Sequence, residues 1–403
     1  MVVTDQAKID EVLRRGVENI YPDRETVAKA LQSGKRLRIY CGFDPTAPAL
    51  HIGNAIQINK LAQFQALGHE IIFLIGDFTG MIGDPTDKTA TRKKLTRAEV
   101  VANSLNFKKQ ASAFLKFTGA NPAKVLRNSK WLDKLSFADL IELGANFTVG
   151  QMLVRDMFQK RMEEQKPIHM HEFFYPMAQA YDSIAMDVDL ELGGNDQTFN
   201  MLCGRDLMKS LKQKEKFVVT TKLLVDNDGK KMGKSEGNGV NLDDSSENMY
   251  GKVMSWPDGA IINGFELCTN ILMNEVNKLK EALQVGANPR DAKMKLALEI
   301  TRLNYGIKKA KAAENNFIKT VQQKEVPDEV EEIRLAVNNY KVIDLLVELQ
   351  LAASKGEARR LIEQGGIKIN GKTVADTAAD INIVTAGILI QRGKRQFVRV
   401  IGE

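Results

Sequence analysis

The chain is poor in cysteine and histidine and has no long apolar run. Three cysteines, Cys41, Cys203 and Cys268, stand far apart in 403 residues. A scattered, odd set argues against a disulfide framework and against a zinc site, and it fits a reducing, cytoplasmic setting. No stretch of about 18 apolar residues occurs, so no membrane-spanning helix is expected. The opening MVVTDQAKIDEVLRRG is charged and has no apolar centre, so no secretory signal is expected either. Internal repeats and low-complexity tracts are absent from the sequence. Neither sign of charge dominates: the formal net charge of +6 permits a polyanionic partner without requiring one.

What remains is an ordinary globular composition, 43% hydrophobic and 27% charged, in a chain long enough for two or three domains. Ile9, Val12, Leu13, Val17 and Ile20 recur at helical spacing. RLRIYCGFD then reads as a strand. Ala55, Ile58, Leu61 and Ala62 share one face of a helix that stops at Gly68. EIIFLIGDF is a continuous apolar run, the pattern of a buried parallel strand. Strand, helix and strand make one βαβ unit of an α/β fold. The connecting turn, GFDPTAPALHIGN at 42–54, then lies at the carboxyl edge of the sheet, where open α/β sheets bind ligands. Residues 95–165 read as helical and amphipathic. VDLELGGNDQ is a further strand entering a polar glycine turn, and KLLVDNDGKKMGKSEGNG is a strand tip followed by a lysine- and glycine-rich loop. Residues 246–320 are helical in pattern, QQKEVPDEVEE is an acidic linker candidate, and from about Asn338 a helix gives way to short alternating strands.

The 42–54 turn has two readings. Backbone N–H groups at a helix N-terminus attract anions, His51 and Asn54 add donors, and Gly42 and Gly53 let a ligand approach the main chain. The same residues also suit a plain βα loop with an N-capping Asn. KKMGKS offers Lys230, Lys231 and Lys234, with Gly233 and Gly237 permitting movement. Such lysines suit a polyphosphate, and equally a solvated face. HIGN early and KMGKS about 180 residues later resemble, in order and spacing, the signature pair of class I aminoacyl-tRNA synthetases.

YCGFDPTAPALHIGN, TGMIGDPTDK, YPMAQAYD, LGGNDQ and KMGKS together resemble the bacterial-type tyrosyl-tRNA synthetases, over nearly the whole length. The last block is similar to an S4 RNA-binding domain. Two positions depart from the usual motifs, Asn54 at the end of HIGH and Gly233 within KMSKS. The resemblance implies a Rossmann-like catalytic domain with a parallel sheet over 1–245, carrying a helical insertion at about 95–165. An α-helical anticodon-side domain over 246–325, a linker over 326–337 and an S4-like domain over 338–403 would follow. The implied activity joins tyrosine to ATP, giving tyrosyl-adenylate and pyrophosphate, and then charges tRNA(Tyr). The implied setting is a cytoplasmic homodimer, joined through FTVGQMLVRDMFQKRM to HEFFYP. Mg²⁺ would accompany ATP, with no metal bound by the protein itself.

The resemblance also assigns residues. Tyr40 and Asp182 would meet the phenolic hydroxyl of tyrosine. Thr79, Asp84, Tyr175 and Gln179 would hold its ammonium end, with Asn128 nearby, and Gln197 would lie by the reacting carboxyl group. Tyr175, Gln179 and Asp182 fall at i, i+4 and i+7 and so share one helix face, while Tyr181 points elsewhere and reads as core. ATP would contact Gly42, Asp44, His51, Gly53, Asn54, Gly194, Asp196, Met232 and Lys234. His51, Asn54, Lys231, Lys234, Lys88 and Arg92 would act on the phosphates. Lys355, Arg359, Arg360, Lys368 and Lys372 would bind RNA. A tryptophanyl enzyme, another HIGH-type nucleotidylyltransferase and a non-catalytic RNA-binding protein are the rival readings. The Tyr40 and Asp182 pair, the S4-like tail and the intact KMGKS lysines weigh against them in turn.

Overall fold

The computed structural model describes residues 1–85, 94–225, 239–322, 330–393 and 396–403. Two compact units form, one of residues 1–244 with 255–304, the other of residues 245–254 with 305–403.

The first unit is built on a six-stranded sheet of β1 (Val17–Tyr21), β2 (Arg38–Phe43), β3 (Glu70–Ile75), β4 (Lys124–Arg127), β5 (Leu190–Gly194) and β6 (Phe217–Thr221). Their spatial order is β1-β6-β5-β2-β3-β4. β2 to β6 run parallel, and β1 closes one edge antiparallel to β6. The apolar run of β3 is what its position requires, because residues 71–75 are all buried. The helix Ile52–Ala66 returns the chain from β2 to β3 and buries Ile52, Ala55, Ile58 and Leu61. The chain steps outward from β2 to β3 to β4, then comes back to place β5 and β6 on the other side of β2. Strand order therefore reverses between β2 and β5. The carboxyl ends at that reversal carry Asp44 and the Gly193–Gly194 turn, a topological switch point.

Three local expectations change. Val17 and Ile20 do not continue the first helix, Gln6–Arg14, but lie in β1. Gly16 makes the break: its φ of +63° is left-handed. The 95–165 stretch is not wholly helical, since residues 124–127 supply edge strand β4, too short to impose a period. The strand before the lysine loop is β6, which ends before Lys222.

In the second unit the helices Ser246–Met254 and Ile307–Phe317 pack together, with the Tyr250 and Phe317 rings 5.5 Å apart. Its C-terminal part holds β7 (Glu331–Leu335), β8 (Asn339–Lys341), β9 (Ile367–Ile369), β10 (Lys372–Thr373), β11 (Asp380–Asn382), β12 (Ile388–Arg392) and β13 (Gln396–Gly402). Five of these form a sheet in the order β10-β9-β12-β13-β7, and β11 pairs with β8. Leu345, Leu346, Ile362, Ile390 and Val400 are at the centre of its core. A linker was expected over 326–337, yet residues 331–335 are β7, parallel to β13, with Ile333 and Leu335 packed on the core. The 246–325 stretch, expected as one helical domain, is divided between the units: residues 255–304 go with the first, the flanking helices with the second.

Candidate active site

At the 42–54 turn, His51 rather than Asn54 is the helix N-cap. Its Nδ1 accepts from the Asn54 backbone N–H at 3.3 Å, and Asn54 Oδ1 accepts from the His51 N–H at 3.0 Å. This reciprocal pair is a capping box. It sets the chemistry of both side chains. With Nδ1 an acceptor, the proton of the neutral imidazole sits on Nε2. With Oδ1 an acceptor, the donor end of Asn54 is the Nδ2 amide. The Ile52 N–H donates to Val240 O at 2.8 Å and the Leu242 N–H to Leu50 O at 2.8 Å. The residues that follow the lysine loop are thereby fastened to the HIGN turn. The Ile52 N–H, like those of His51 and Asn54, is thus already bonded within the protein.

Beside the turn a chain of hydrogen bonds crosses the switch point. Asp44 accepts from the Thr79 hydroxyl at 2.6 Å and from the Tyr175 hydroxyl at 2.9 Å. Asn128 Nδ2 donates to Thr79 Oγ1 at 3.0 Å and to Asp182 Oδ2 at 3.2 Å, while its Oδ1 accepts from the Phe78 N–H at 2.9 Å. The Trp131 indole donates to Asp182 Oδ1 at 2.7 Å. Tyr175, Gln179 and Asp182 all lie on the helix Met170–Met186, as their spacing implies. Burial pushes the Asp182 carboxyl well above the usual carboxylate range, against the pull of Trp131 and Asn128. Burial, aided by Asp44 and Asp84, likewise pushes the Tyr175 phenol up. Tyr181, partly buried, packs against the cluster of Leu143, Ala180 and Leu207.

Other expected residues pair elsewhere. Asp84 accepts from Gln197 Nε2, and Asn200, fully buried, donates to Gln197 Oε1 at 2.9 Å. Arg155 approaches Asp84 at 3.9 Å. Gly194 lies so close to Asp196 that a Cβ would stand 2.5 Å from its carboxylate. Gln179 Nε2 donates to Glu191 Oε1 at 2.9 Å. The Tyr40 hydroxyl bonds Ser183 Oγ at 3.0 Å rather than Asp182, and burial, with Glu191 and Asp182 adding to it, pushes that phenol up. Trp131, Ser183, Glu191, Lys216, Asn200 and Arg155 were not foreseen. The only sequence signal for any of them is the ionisable Glu191 inside the apolar strand VDLELGG.

Comparison with known proteins decides the family. The family described as tRNA synthetases class I (W and Y) matches residues 32–322, and the tyrosine–tRNA ligase SYY-like C-terminal domain matches residues 321–400. The tyrosine–tRNA ligase of Moorella thermoacetica is 43% identical over 394 residues, 96% of this chain and 94% of that protein. That of Haemophilus ducreyi is 45% identical over 389 residues, 96% of each. The chain belongs to the class I tyrosyl-tRNA synthetases. A C-terminally truncated mitochondrial tyrosyl-tRNA synthetase of Coccidioides posadasii has the same fold, with a TM-score of 0.64 and 26% identity, covering 77% of this chain and 92% of that one. The tyrosyl-tRNA synthetase of Archaeoglobus fulgidus, at 21% identity and a TM-score of 0.60, shares the fold over 76% of this chain and 99% of its own. Of the residues expected to act in this synthetase, Lys88, Arg92, Lys231, Met232 and Lys234 lie outside the described residues. Lys355, Arg359, Arg360, Lys368 and Lys372 are all exposed, three on the helix Lys355–Glu363 and one each on β9 and β10; Lys355 also pairs with Asp344 at 2.7 Å.

Proposed function

We propose that this chain activates L-tyrosine with ATP and transfers it to the 3′ end of tRNA(Tyr), using the site just described. The observation that carries the reading is Asp182. It is a buried carboxylate with each oxygen already taking one donor, Trp131 or Asn128, and each keeping a further lone pair. An acceptor of this kind is satisfied by a phenolic hydroxyl and left unpaired by a phenyl ring. Tyr40 supports the same end of the ligand. Tyr175, Thr79, Asn128 and Gln179, with Asp84 and Gln197 beside them, supply the surroundings for the ammonium and carboxylate groups.

In the first step the tyrosine carboxylate, ionised at neutral pH, attacks the α-phosphorus of ATP. The bond to the bridging oxygen breaks and pyrophosphate leaves. No general base is required, so the protein's task is to position the reactants and to meet charge on the phosphates. His51 Nε2–H and Asn54 Nδ2–H are the donors from the capping box. Gly42, Gly53 and Asp44 line the nucleotide's side of the turn, Gly194 and Asp196 receive the ribose, and Met232 is assigned to the nucleotide. Lys231 and Lys234, with Lys88 and Arg92, neutralise the departing pyrophosphate. The fastening of residues 240–242 to residues 50–52 supports this grouping. Mg²⁺ would accompany ATP and supply positive charge to its phosphates, with no residue of this chain assigned to hold it. In the second step a terminal ribose hydroxyl of tRNA attacks the carbonyl of the adenylate and AMP leaves.

Residues 338–403, together with β7, form the S4-like RNA-binding part of this reading, in which the exposed Lys355, Arg359, Arg360, Lys368 and Lys372 meet phosphates. A homodimer is supported by large apolar side chains exposed between 137 and 170, namely Phe137, Ile141, Val149, Val154, Met162 and Met170. Three free cysteines support a reducing cytoplasm. The test is tyrosine-dependent ATP–pyrophosphate exchange. Asp182→Ala should depress it and erode discrimination against phenylalanine. Unchanged discrimination in a folded variant refutes the assignment of Asp182.

A further inference from the structure

Under the amino-acid pocket lies an ion pair that the chemistry above does not use. Lys216, just ahead of β6, is fully buried and donates to Glu191 on β5, which is 2% exposed. The same ammonium donates to Ser183 Oγ at 3.0 Å. Space for it is left by Gly204, where a Cβ would stand 2.4 Å from Lys216 Nζ and 3.0 Å from Ser183 Oγ. Two partners of this pair face the pocket. Ser183 holds the Tyr40 hydroxyl, and Glu191 takes the amide nitrogen of Gln179.

The second contact has a chemical consequence. A carboxylate can only accept, so it fixes which end of the Gln179 amide faces it. The nitrogen is turned to Glu191, and the oxygen is left over. Gln179 Oε1 is buried and has no hydrogen-bond partner among the described residues. A buried carbonyl oxygen without a donor is unfavourable unless a ligand supplies one. A substrate ammonium has three N–H donors.

We infer that Glu191 and Lys216 are positioning residues for the amino end of tyrosine: Glu191 orients Gln179 so that its oxygen receives the substrate ammonium, and Lys216 holds Glu191 in place as counter-charge. The inference rests on the assignment of Gln179 to the tyrosine site. Lys216 is held by partners from two elements, β5 and the helix Met170–Met186, so the pair also ties Tyr40, through Ser183, to the same fixed point.

The test uses the full chain and two ligands, L-tyrosine and 3-(4-hydroxyphenyl)propanoate, which keeps the phenol and carboxylate but has no ammonium. Binding is measured by calorimetry, and KM and kcat by pyrophosphate exchange. In Glu191→Leu/Lys216→Met an apolar pair replaces the buried ions, an exchange that folded proteins often tolerate. It should weaken L-tyrosine by about tenfold or more, the effect of a misdirected buried hydrogen bond, and leave the propanoate nearly unchanged. KM for tyrosine should rise while KM for ATP holds. Glu191→Gln/Lys216→Met keeps an acceptor oxygen for Gln179 and should recover most of the loss. Equal weakening of both ligands, or of neither, overturns the inference. Gln179→Ala separates the two levels of argument. If it spares L-tyrosine, the site assignment itself fails. If it costs the ammonium contact while the Leu/Met pair does not, only the positioning role falls. Should the Leu/Met pair not fold, Lys216→Met decides by its ratio of tyrosine to propanoate affinity: a lowered ratio upholds the inference and an unchanged one overturns it.

Discussion

Gly76→Ala puts the hydrogen-bonded chain at the switch point under direct strain. Gly76 follows β3, and a Cβ there would stand 1.9 Å from Asp44 Oδ1 and 2.4 Å from Thr79 Oγ1. Neither atom is the loose end of a surface side chain. Asp44 is held by Thr79 and Tyr175, and Thr79, 3% exposed, also accepts from Asn128. The methyl group must push the carboxylate aside and leave two buried hydroxyls short of an acceptor. A hydrogen bond to a charged group contributes about 1.5–3 kcal/mol, so losing two, with partial relaxation, costs about 2–4 kcal/mol. If about 1.4 kcal/mol of this falls on substrate binding, KM for tyrosine rises about tenfold. Thermal unfolding of the catalytic unit and pyrophosphate-exchange kinetics are the assays. Gly42→Ala is the contrast, because its Cβ would meet only Leu74 Cδ2, at an ordinary 3.8 Å. That variant should keep its stability and tyrosine KM and change KM for ATP. A Gly76→Ala protein with an unaltered melting temperature and tyrosine KM refutes the role given to this chain.

Three other outcomes are expected. Asn54→Asp keeps the oxygen that accepts from the His51 N–H but replaces the Nδ2 donor by negative charge, so stability should hold while adenylate formation slows, measured by single turnover. In the proposed site Asp182 would accept the phenolic hydrogen as the ionised form, and burial holds its carboxyl well above the ordinary range. Tyrosine KM should therefore climb as pH falls through that raised value. The same shift means the folded chain retains a proton the unfolded chain has lost, so this group withdraws stability as pH rises from its unfolded to its folded pKa; Asp182→Asn, compared across roughly pH 5–9, should flatten both dependences while weakening binding. Ending the chain near residue 325 removes β7 with its sheet and should spare adenylate formation while sharply reducing charging at subsaturating tRNA; ending it near residue 337 strands β7, whose Ile333 and Leu335 lose their core, and should give the less soluble protein by light scattering.

The sequence revealed most where a pattern is long or a motif is dense. β2, β3 and the helix between them follow from an apolar run and a helical stripe. β1, β4 and β6 were hidden because four or five residues carry too little period, and Val17 and Ile20 matched the preceding helix until Gly16 broke it. The linker assigned to 326–337 failed for a related reason: the alternation EEIRL is masked by the acidic run before it. Within the site, residues on one helix face were legible, because spacing alone aligns Tyr175, Gln179 and Asp182. Their supports were not. Ser183 meets Tyr40 across 143 positions and Trp131 meets Asp182 across 51, separations at which no local pattern exists. His51 was read as a ligand donor and Asn54 as a possible cap; the structure gives the cap to His51, an uncommon N-cap residue that propensity would not choose.

The distribution of charge gives these separate pieces one sense. Asp44, Asp84 and Asp182 all raise the Tyr175 phenol electrostatically, so all three carboxyls act on one point of the pocket. Glu191 stands beneath, with Lys216 as its partner. At the HIGN turn the ionisable side chain is His51, the helix N-cap. A free amino acid is a zwitterion of fixed length. Beside the carboxyls of the proposed pocket its ammonium would be drawn inward and its carboxylate held outward. In the proposed site the phenol, held at Asp182, would fix the third point. The polar cluster is expensive to bury, and the switch point between β2 and β5 is where the fold leaves main chain and side chains of both sheet halves free to bear it.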